Sequence, residues 1–356
     1  MKSALQFPGA LVLTFMLGLL LLGSCATASA PITVTPATAS GTPSWPSPPA
    51  EARVRYLRSV SNGKDWGIKK SFIRRLIDTI FGSGKEHFVR PSGVTEHQGV
   101  LYVADPGAQA LWILDAGQNR VEKVQRIGEE DLLTPVAVAV RNDGAVFLAD
   151  SRLKKVFLLD RAGKFIGIAA QQGLERPAGL AYDDVGQRLY VADSVRDKIV
   201  VFAPDGSIIR SWGEPGSHDG GFNHPTHLAL DQAGTLLVSD ALNFRVQAFD
   251  ADGHFLWKFG HHGDGSGDIA SPKGVAADRD GHVFVVDALF DTVQIFDHVG
   301  NYLLGFGGQG FQPGQLWLPG GLYINSRNEI YVADTYNQRI QVLVAVPDAT
   351  AKENSR

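Results

Sequence analysis

The amino-acid sequence predicts an all-β protein, a six-bladed β-propeller, and three observations carry that prediction. A strand-like run that ends in aspartate recurs six times at intervals of 43 to 47 residues. A proline recurs ahead of each run with nearly the same period, 42 to 48 residues. The intervening segments are short runs of β-branched and aromatic residues bounded by Gly, Asp and Asn, which is typical of strands. The markers are Asp105, Asp150, Asp193, Asp240, Asp287 and Asp334, and Pro91, Pro135, Pro177, Pro225, Pro272 and Pro319.

The texture within each copy distinguishes a propeller from a helical solenoid. After the proline come a short apolar run, a glycine turn, the run that ends in aspartate, and two further strand-like runs such as 245–250 and 255–260. Glycines and prolines at these spacings interrupt the helices that a HEAT-type repeat would need. Six copies of four strands describe six blades. We place the propeller at residues 85–346, followed by a polar tail at 347–356.

The last copy indicates how the ring closes. It supplies three strands, at about 319–324, 329–333 and 339–345, and lacks a fourth. The segment 53–60, upstream of the first copy, has the pattern of the other fourth strands. Its pairing with the sixth blade would join the two ends of the ring and leave no open edge. We therefore predict that residues 53–60 close the propeller.

Two stretches of the sequence resemble NHL repeats. They are HPTHLALDQAGTLLVSDALNFRVQAFDADGHFLWKFG (224–260) and LPGGLYINSRNEIYVADTYNQRIQVL (318–343). The glycine-rich linkers 212–225 and 306–319 resemble the spacer of that family. The resemblance covers about residues 90–344 together with the closing strand, and it implies an NHL-type six-bladed propeller. It implies little about function, because NHL propellers include protein-binding, RNA-binding and enzymatic members.

Residues 1–24 have the features of a bacterial lipoprotein signal peptide. Lys2 precedes an apolar run from Leu11 to Leu22, which is too short to span a bilayer and typical of a signal-peptide core. The run leads into Leu-Gly-Ser-Cys25, which resembles the lipobox, in which Cys25 is acylated and becomes the mature N-terminus. A plain secretory peptide with an incidental cysteine is the alternative. Ala26 follows the cysteine, which favours the outer membrane, so we expect a lipid-anchored protein of the cell envelope on the periplasmic or surface side.

Two segments connect the anchor to the first blade. Residues 25–52 are rich in Pro, Ser and Thr and cannot bury enough apolar area to fold, so they are predicted to be a disordered tether. Residues 53–84 hold the closing strand and then, at 65–82, a short amphipathic helix with a basic polar side. This helix can bury its apolar stripe on the propeller, rest on anionic membrane beside the anchor, or plug the propeller.

Composition excludes several classes of function. The 356 residues include 33 basic and 37 acidic side chains, a net charge of −4, which argues against a dedicated nucleic-acid binder. The single cysteine excludes a disulfide framework and a multi-cysteine zinc site. No cofactor is expected. We expect a monomer whose membrane contact is the lipid on Cys25.

The repeated polar residues are predicted to be structural. One aspartate at the same strand end of each copy is typical of a repeated turn in which the carboxylate accepts backbone N–H groups. The residue three positions before each proline is apolar in every copy, which predicts packing between blades. These residues are Phe88, Leu132, Leu174, Phe222, Ile269 and Leu316.

The number of histidines just after the repeat prolines decides whether the sequence predicts an enzyme. Some NHL propellers resemble the peptidylglycine amidating lyases, which hold zinc in the central channel with histidines just after the repeat proline. In this sequence only the fourth copy offers one, His227, with His224 just before its proline. One channel histidine does not make the three-ligand site of a catalytic zinc, so no metal site is predicted. A lyase or hydrolase that uses the channel mouth near Arg90, Arg176, His224 and His227 is the alternative function.

The main prediction is a non-catalytic scaffold for an unidentified protein partner. The linkers before the prolines and the loops after the strand-end aspartates should emerge on one face. On copies four to six they carry large aromatic side chains, which on a rigid scaffold are typical binding anchors. The candidates are Phe244, Phe290, Trp317 and Tyr336. The alternative is that these rings fold back over the blades.

Overall fold

The computed structural model describes residues 41–69 and 87–346, and all statements on structure refer to these. The predicted signal peptide, Cys25, most of the predicted tether, most of the predicted helix at 65–82 and the polar tail lie outside the described residues. Within the described ranges, no helix is both long and apolar enough to cross a bilayer.

The fold is a six-bladed β-propeller, as predicted. The strands in chain order are β1 (Ser44–Trp45), β2 (Val54–Val60), β3 (Gly93–His97), β4 (Val100–Asp105), β5 (Ala110–Asp115), β6 (Arg120–Val124), β7 (Arg126–Ile127), β8 (Glu130–Asp131), β9 (Pro135–Val140), β10 (Val146–Asp150), β11 (Lys155–Leu159), β12 (Phe165–Ala170), β13 (Pro177–Asp183), β14 (Arg188–Asp193), β15 (Lys198–Phe202), β16 (Ile208–Trp212), β17 (Pro225–Leu230), β18 (Leu236–Asp240), β19 (Arg245–Phe249), β20 (Phe255–Phe259), β21 (Pro272–Ala277), β22 (Val283–Asp287), β23 (Thr292–Phe296), β24 (Tyr302–Gly307), β25 (Leu322–Ile324), β26 (Glu329–Asp334) and β27 (Arg339–Ala345). One 3₁₀ turn spans Ala241–Asn243.

Each blade is an antiparallel sheet whose first strand lies innermost. Blades one to five are β3–β6, β9–β12, β13–β16, β17–β20 and β21–β24, and blade six has the order β25-β26-β27-β2-β1. The pair β7–β8 is a short hairpin in the linker between blades one and two.

The repeat markers occupy one end of every blade. The second strand of each blade ends at the strand-end aspartate. The inner strands of blades two to five begin at the repeat proline, and Pro177 pairs with Asp193 just as Pro225 pairs with Asp240. The linkers before the prolines and the loops after the aspartates therefore share one face, which we call the top face.

The core lies between neighbouring blades. Buried clusters join residues of successive sheets; one combines Tyr102 of blade one with Leu148 of blade two. The residue three before each proline is buried in all six blades, as the sequence predicted. This repeated packing fixes each linker against the next blade.

The closing strand forms as predicted. β2 pairs with β27 along its length, from Val54 opposite Ala345 to Val60 opposite Ile340. The residues before β2 differ from the prediction, because Ser44–Trp45 forms β1 on the outer edge of blade six. The predicted tether at 25–52 is therefore wrong for its last residues. The physical reason is Trp45, whose indole packs beside Phe306 and adds enough apolar contact to order a proline-rich segment.

The start of the predicted helix at 65–82 also differs. Residues 63–67 form a turn, in which Gly67 has φ of +89°, and the N–H of Ile68 donates to the carbonyl of Gly63. A positive φ ends a right-handed helical turn. Trp66 and Ile68 are buried in the cluster between blades six and one, so this end of the segment packs on the propeller.

Candidate functional site

The strand-end aspartates are structural, as predicted. Asp105 accepts hydrogen bonds from the backbone N–H groups of Val89 and Arg90, at 2.7 and 2.9 Å. The other five strand-end aspartates each accept at least one such bond from the linker that precedes the proline of their blade; the donors are Leu133, Glu175, Asn223, Ala270 and Trp317. Because the oxygens of these carboxylates already accept backbone hydrogen bonds, they are not free to bind a ligand.

Arginine and glutamine hold the glycine-rich linkers of blades four and six. Arg245 pairs with Asp240 at 2.8 Å and donates to the carbonyls of Ser217, His218 and Gly221. Gln247 donates to the carbonyl of Gly221 as well. Arg339 and Gln341 do the same in blade six, where they bind the linker that carries Trp317. The top-face loops of these blades are therefore rigid.

The channel mouth is formed by the residues immediately before and after each repeat proline. We use that name for these twelve positions, which flank the first residues of the inner strands. The residues before the prolines are Arg90, Thr134, Arg176, His224, Ser271 and Leu318, and those after are Ser92, Val136, Ala178, Thr226, Lys273 and Gly320. Three of the four predicted mouth residues, Arg90, Arg176 and His224, belong to this set. His224 is anchored by its backbone N–H, which donates to Asp197 at 2.7 Å.

His227 lies one residue deeper in the channel wall. Burial, together with the positive charge of Lys273, lowers the pKa of His227 to about 3, so the imidazole is neutral near pH 7. Its Nδ1 atom is buried and has no hydrogen-bond partner among the described residues, and the same holds for the hydroxyl of Thr226. Burial also lowers the pKa of Lys273. Within the described part of the chain, Thr226 and His227 therefore each keep a buried polar atom without a partner, and Lys273 lies close to His227.

The packing of the inner strands explains why only one histidine occurs at this depth. The equivalent residues of the other blades are Gly93, Ala137, Gly179, Gly274 and Gly321. A Cβ atom at Gly179 would lie 2.6 Å from the carbonyl oxygen of Thr226, and one at Gly274 would lie 2.4 Å from the backbone nitrogen of Leu322. These positions therefore exclude larger side chains unless the neighbouring blade moves. A three-histidine zinc site cannot be assembled here from His227.

Within residues 41–69 and 87–346, one group of side chains could hold a cation, and it lies away from the channel mouth. Ligand atoms of Asp278, Asp280 and His282 lie within 4.8 Å of one another. Asp278 accepts the backbone N–H groups of Asp280 and His282 and bonds the His282 ring at 2.9 Å. Asp250 and His254 repeat the arrangement in blade four. The group closes the hairpin between β21 and β22 on the face opposite the top face, so these contacts are those of a turn.

The opposite end of the channel contains a cavity of about 210 Å³. Beside it, the buried Glu96 accepts hydrogen bonds from Gly99 at 2.6 Å and Asn325 at 2.8 Å. Arg327 and Tyr331 donate to Glu329, which also accepts from Asn325. This network joins blades six and one where the ring closes, so its role is structural.

A ring contact joins two of the four predicted aromatic anchors. Trp317 and Tyr336 lie together, with ring centroids 5.6 Å apart, and Arg90 lies over the Tyr336 ring at 5.8 Å. Phe244 packs on His262 at 4.4 Å from a left-handed backbone conformation. Phe290 is exposed on blade five. Sequence reasoning missed Phe311, which is 67% exposed and contacts Trp317 at 5.3 Å.

Sequence reasoning also missed a row of exposed apolar side chains two residues after the strand-end aspartates. We call it the apolar arc; it consists of Val195, Leu242, Leu289 and Tyr336, which are 48, 52, 61 and 46% exposed. They occupy the same position in four consecutive blades, three to six. The equivalent residues of blades one and two are Gly107 and Arg152. The signal in the sequence was the shared offset from the aspartate.

Comparison with known proteins gives one family match and several relatives. The profile of the NHL repeat matches residues 316–343. The peptidylglycine alpha-amidating monooxygenase of Rattus norvegicus is 30% identical over 133 residues, which are 33% of this chain and only 14% of that protein. Among solved structures, virginiamycin B lyase from Staphylococcus aureus superposes with a TM-score of 0.55 at 14% identity, covering 72% of this chain and 96% of that chain.

A protein of a different kind is equally similar in fold. A chain of a nidogen–laminin complex superposes with a TM-score of 0.52 at 18% identity, covering 68% of this chain and 84% of that chain. At these identities the solved structures share the fold alone with this chain.

Proposed function

We propose that this chain, a six-bladed β-propeller whose residues 316–343 match the NHL repeat, is an exported, lipid-anchored scaffold that binds a protein partner on its top face. The observation that carries the proposal is the apolar arc. Its four side chains lie at one position of four consecutive blades and are about half exposed. One of them, Tyr336, contacts Trp317, which in turn contacts Phe311. Exposed apolar side chains gathered on one face of a fold mark interaction surfaces.

The rigidity of the top face favours binding. The strand-end aspartates fix the linkers, and Arg245 and Arg339 hold the linkers of blades four and six through several carbonyls each. A loop that is already ordered loses little conformational entropy when a partner binds. Tyr, Trp and Phe, with Leu beside them, are the side chains that supply anchoring contacts in protein interfaces.

The relatives are compatible with this role without deciding it. A propeller of this fold occurs in a chain of a nidogen–laminin complex. The virginiamycin B lyase shows that it is also used by an enzyme. The top face of this chain favours protein binding over catalysis, because it offers apolar anchors and a single channel histidine.

Export and lipidation complete the proposal and rest on residues 1–25. The Cys25→Ser variant should be released as a folded propeller, since all six blades are formed by strands within residues 44–345. Fractionation of cells that express this variant tests the anchor. Retention on membranes after a high-salt wash would show that the lipid on Cys25 is not the anchor.

The binding face is tested by photo-crosslinking in intact cells. A photoreactive amino acid is placed at Leu242 or Leu289 on the top face, and at Ile209 or Leu303 on outer strands as matched controls, since all four are exposed apolar positions. We expect a discrete crosslinked species of the same mass from both top-face positions and none from the controls. Crosslinks confined to Ile209 or Leu303 would contradict the proposal.

A lyase or hydrolase at the channel mouth is the second candidate, and the unpartnered Nδ1 of His227 favours it. A neutral buried imidazole with a free nitrogen can accept a proton from a substrate. If the purified chain turns over lyase or lactone substrates, His227→Gln should abolish the turnover while leaving thermal stability unchanged. Equal turnover by the variant would exclude His227 as the base.

A further inference from the structure

We infer that the channel mouth binds a carboxylate side chain of the partner, so that the partner presents a polypeptide segment in which Asp or Glu is flanked by apolar residues. The inference rests on the proposed function, because it assigns a chemistry to the partner of the same top face. It is carried by the charge of the mouth, by polar groups there that lack partners, and by the apolar arc around it.

The mouth is positively charged although the chain is acidic. Its twelve positions include Arg90, Arg176 and Lys273 and no Asp or Glu, whereas the whole chain has a net charge of −4. The three cations come from blades one, three and five, so they are distributed around the channel. The Arg90 guanidinium lies over the Tyr336 ring of the apolar arc, and Lys273 is close enough to His227 for its charge to lower the pKa of the imidazole.

Among the described residues, the nearby carboxylates form no ion pair with these cations. The six strand-end aspartates accept backbone N–H groups, and Asp197 and Asp291 accept those of His224 and Leu318. Glu175, beside Arg176 in sequence, pairs with Lys154 at 2.5 Å. Across residues 41–69 and 87–346, neither Arg176 nor Lys273 has an ion-pair or hydrogen-bond partner for its side chain.

Polar groups at the mouth lack ion-pair or hydrogen-bond partners among the described residues, and a ligand could supply them. An ammonium group that is partly desolvated without a counter-ion costs free energy, and an anion beside Lys273 would recover that cost. The hydroxyl of Thr226, one residue after Pro225, and the Nδ1 atom of His227, two residues after it, are buried and have no hydrogen-bond partner among the described residues. A hydroxyl and a neutral imidazole can each donate one hydrogen bond to a carboxylate oxygen.

The apolar arc indicates that the carboxylate belongs to a side chain within a segment. Val195, Leu242, Leu289 and Tyr336 extend along four of the six blades, so a segment that crosses the top face meets apolar surface on both sides of the mouth. A nucleic acid would need cations along its phosphate backbone, and the arc positions of blades three to six carry none. The observations therefore favour an acidic, apolar polypeptide.

Three synthetic peptides test the inference by fluorescence anisotropy on the full mature chain. The first is acetyl-Ser-Leu-Phe-Glu-Phe-Leu-Ser-amide with a dye on an added lysine; the second has Gln in place of Glu; the third has Gln and a free terminal carboxylate. We expect the Glu peptide to bind about tenfold more tightly than either other peptide, the scale of a charge-assisted hydrogen bond.

Lys273→Met and Arg176→Met should each remove that preference, and Lys273→Arg should retain it. Arg210→Met is the control, since Arg210 is exposed on an outer strand.

Each outcome separates this inference from the proposed function. If Leu289→Ala weakens the Glu and Gln peptides equally and Lys273→Met weakens neither, the scaffold stands and the carboxylate site is overturned. If the third peptide binds best, the mouth recognises a chain terminus and the inference is overturned. Binding of a single-stranded oligonucleotide in preference to the Glu peptide would overturn it in favour of nucleic acid. If none of the three peptides binds, the inference is overturned as well. The proposed scaffold function is tested separately by crosslinking from the top face in cells.

Discussion

The indole of Trp45 lies 5.7 Å from the ring of Phe306, at an interplanar angle of 46°. The first residue belongs to the edge strand β1 and the second to β24 of blade five, so a residue upstream of the closing strand seals the junction of two blades. Residues 42–52 are therefore part of the folded unit.

This junction predicts the effect of Trp45→Ala. Removing the half-buried indole should lower the free energy of unfolding by about 2 kcal/mol, below the range for fully buried tryptophan. Urea unfolding of a soluble form that begins at residue 26 measures it, and Trp45→Phe should retain most of the stability. A Trp45→Ala protein as stable as the parent would show that β1 adds nothing to blade six.

Ring closure predicts a sharp dependence on the N-terminal boundary. A chain that begins at residue 42 should melt like one that begins at residue 26, because β1 and β2 are both present. A chain that begins at residue 61 lacks β2, which pairs with β27 along its length, and should lose cooperative unfolding, since blade six exposes an unpaired edge. Differential scanning calorimetry compares the three; equal melting of all three would refute closure by β2.

Replacing Arg245, which lies on no proposed binding surface, should strongly lower the free energy of unfolding. Its guanidinium is buried, pairs with Asp240 and donates to three carbonyls of the blade-four linker. Arg245→Met should cost about 3 kcal/mol or more, because Asp240 remains as an uncompensated buried charge. Arg210→Met, which breaks the exposed pair with Asp252, should cost less than about 1 kcal/mol. Similar urea midpoints for the two variants would contradict the role assigned to Arg245.

The depressed pKa of His227 predicts a pH dependence with a definite sign. The folded imidazole protonates near pH 3 and the unfolded one near its ordinary value of about 6.5. Between these values the unfolded chain binds the extra proton, so stability is fully present above about pH 6.5 and is lost as the pH falls. From pH 7 to pH 5 the parent should lose about 2 kcal/mol more than His227→Gln. Urea unfolding at both pH values measures the difference, and equal losses would show that His227 titrates normally.

The fold was predictable because its determinants repeat. The strand-end aspartates and the prolines mark the two strands that meet at the top face, and six copies of that pair define six blades. The end of the tether was not predictable, since Ser44 and Trp45 are ordered by pairing with β2 and by the contact of Trp45 with Phe306, which is remote in sequence. The prediction that a helix starts at residue 65 was wrong for a local reason, because the positive φ of Gly67 ends a right-handed helical turn.

The candidate site was predictable in part. The positions around each proline identified Arg90, Arg176, His224 and His227, but a search for histidine ligands passed over Lys273. Aliphatic members of the apolar arc, such as Val195, are indistinguishable in sequence from buried strand residues, because exposure depends on where the loop turns. Phe244 and Tyr336 looked equivalent, whereas they lie at different offsets from their aspartates, and only Tyr336 joins the arc.

The binding affinity of two matched tyrosine variants tests the central claim, that the top face binds the partner. Tyr336 lies on the apolar arc and Tyr302 on the outer strand of blade five, and both are partly exposed. The partner is the protein crosslinked from Leu242 and Leu289, and its dissociation constant is measured with each purified variant. Tyr336→Ala should weaken binding about tenfold or more, as for an interface anchor, while Tyr302→Ala leaves it unchanged. Undiminished binding by Tyr336→Ala, or a loss confined to Tyr302→Ala, would contradict the claim.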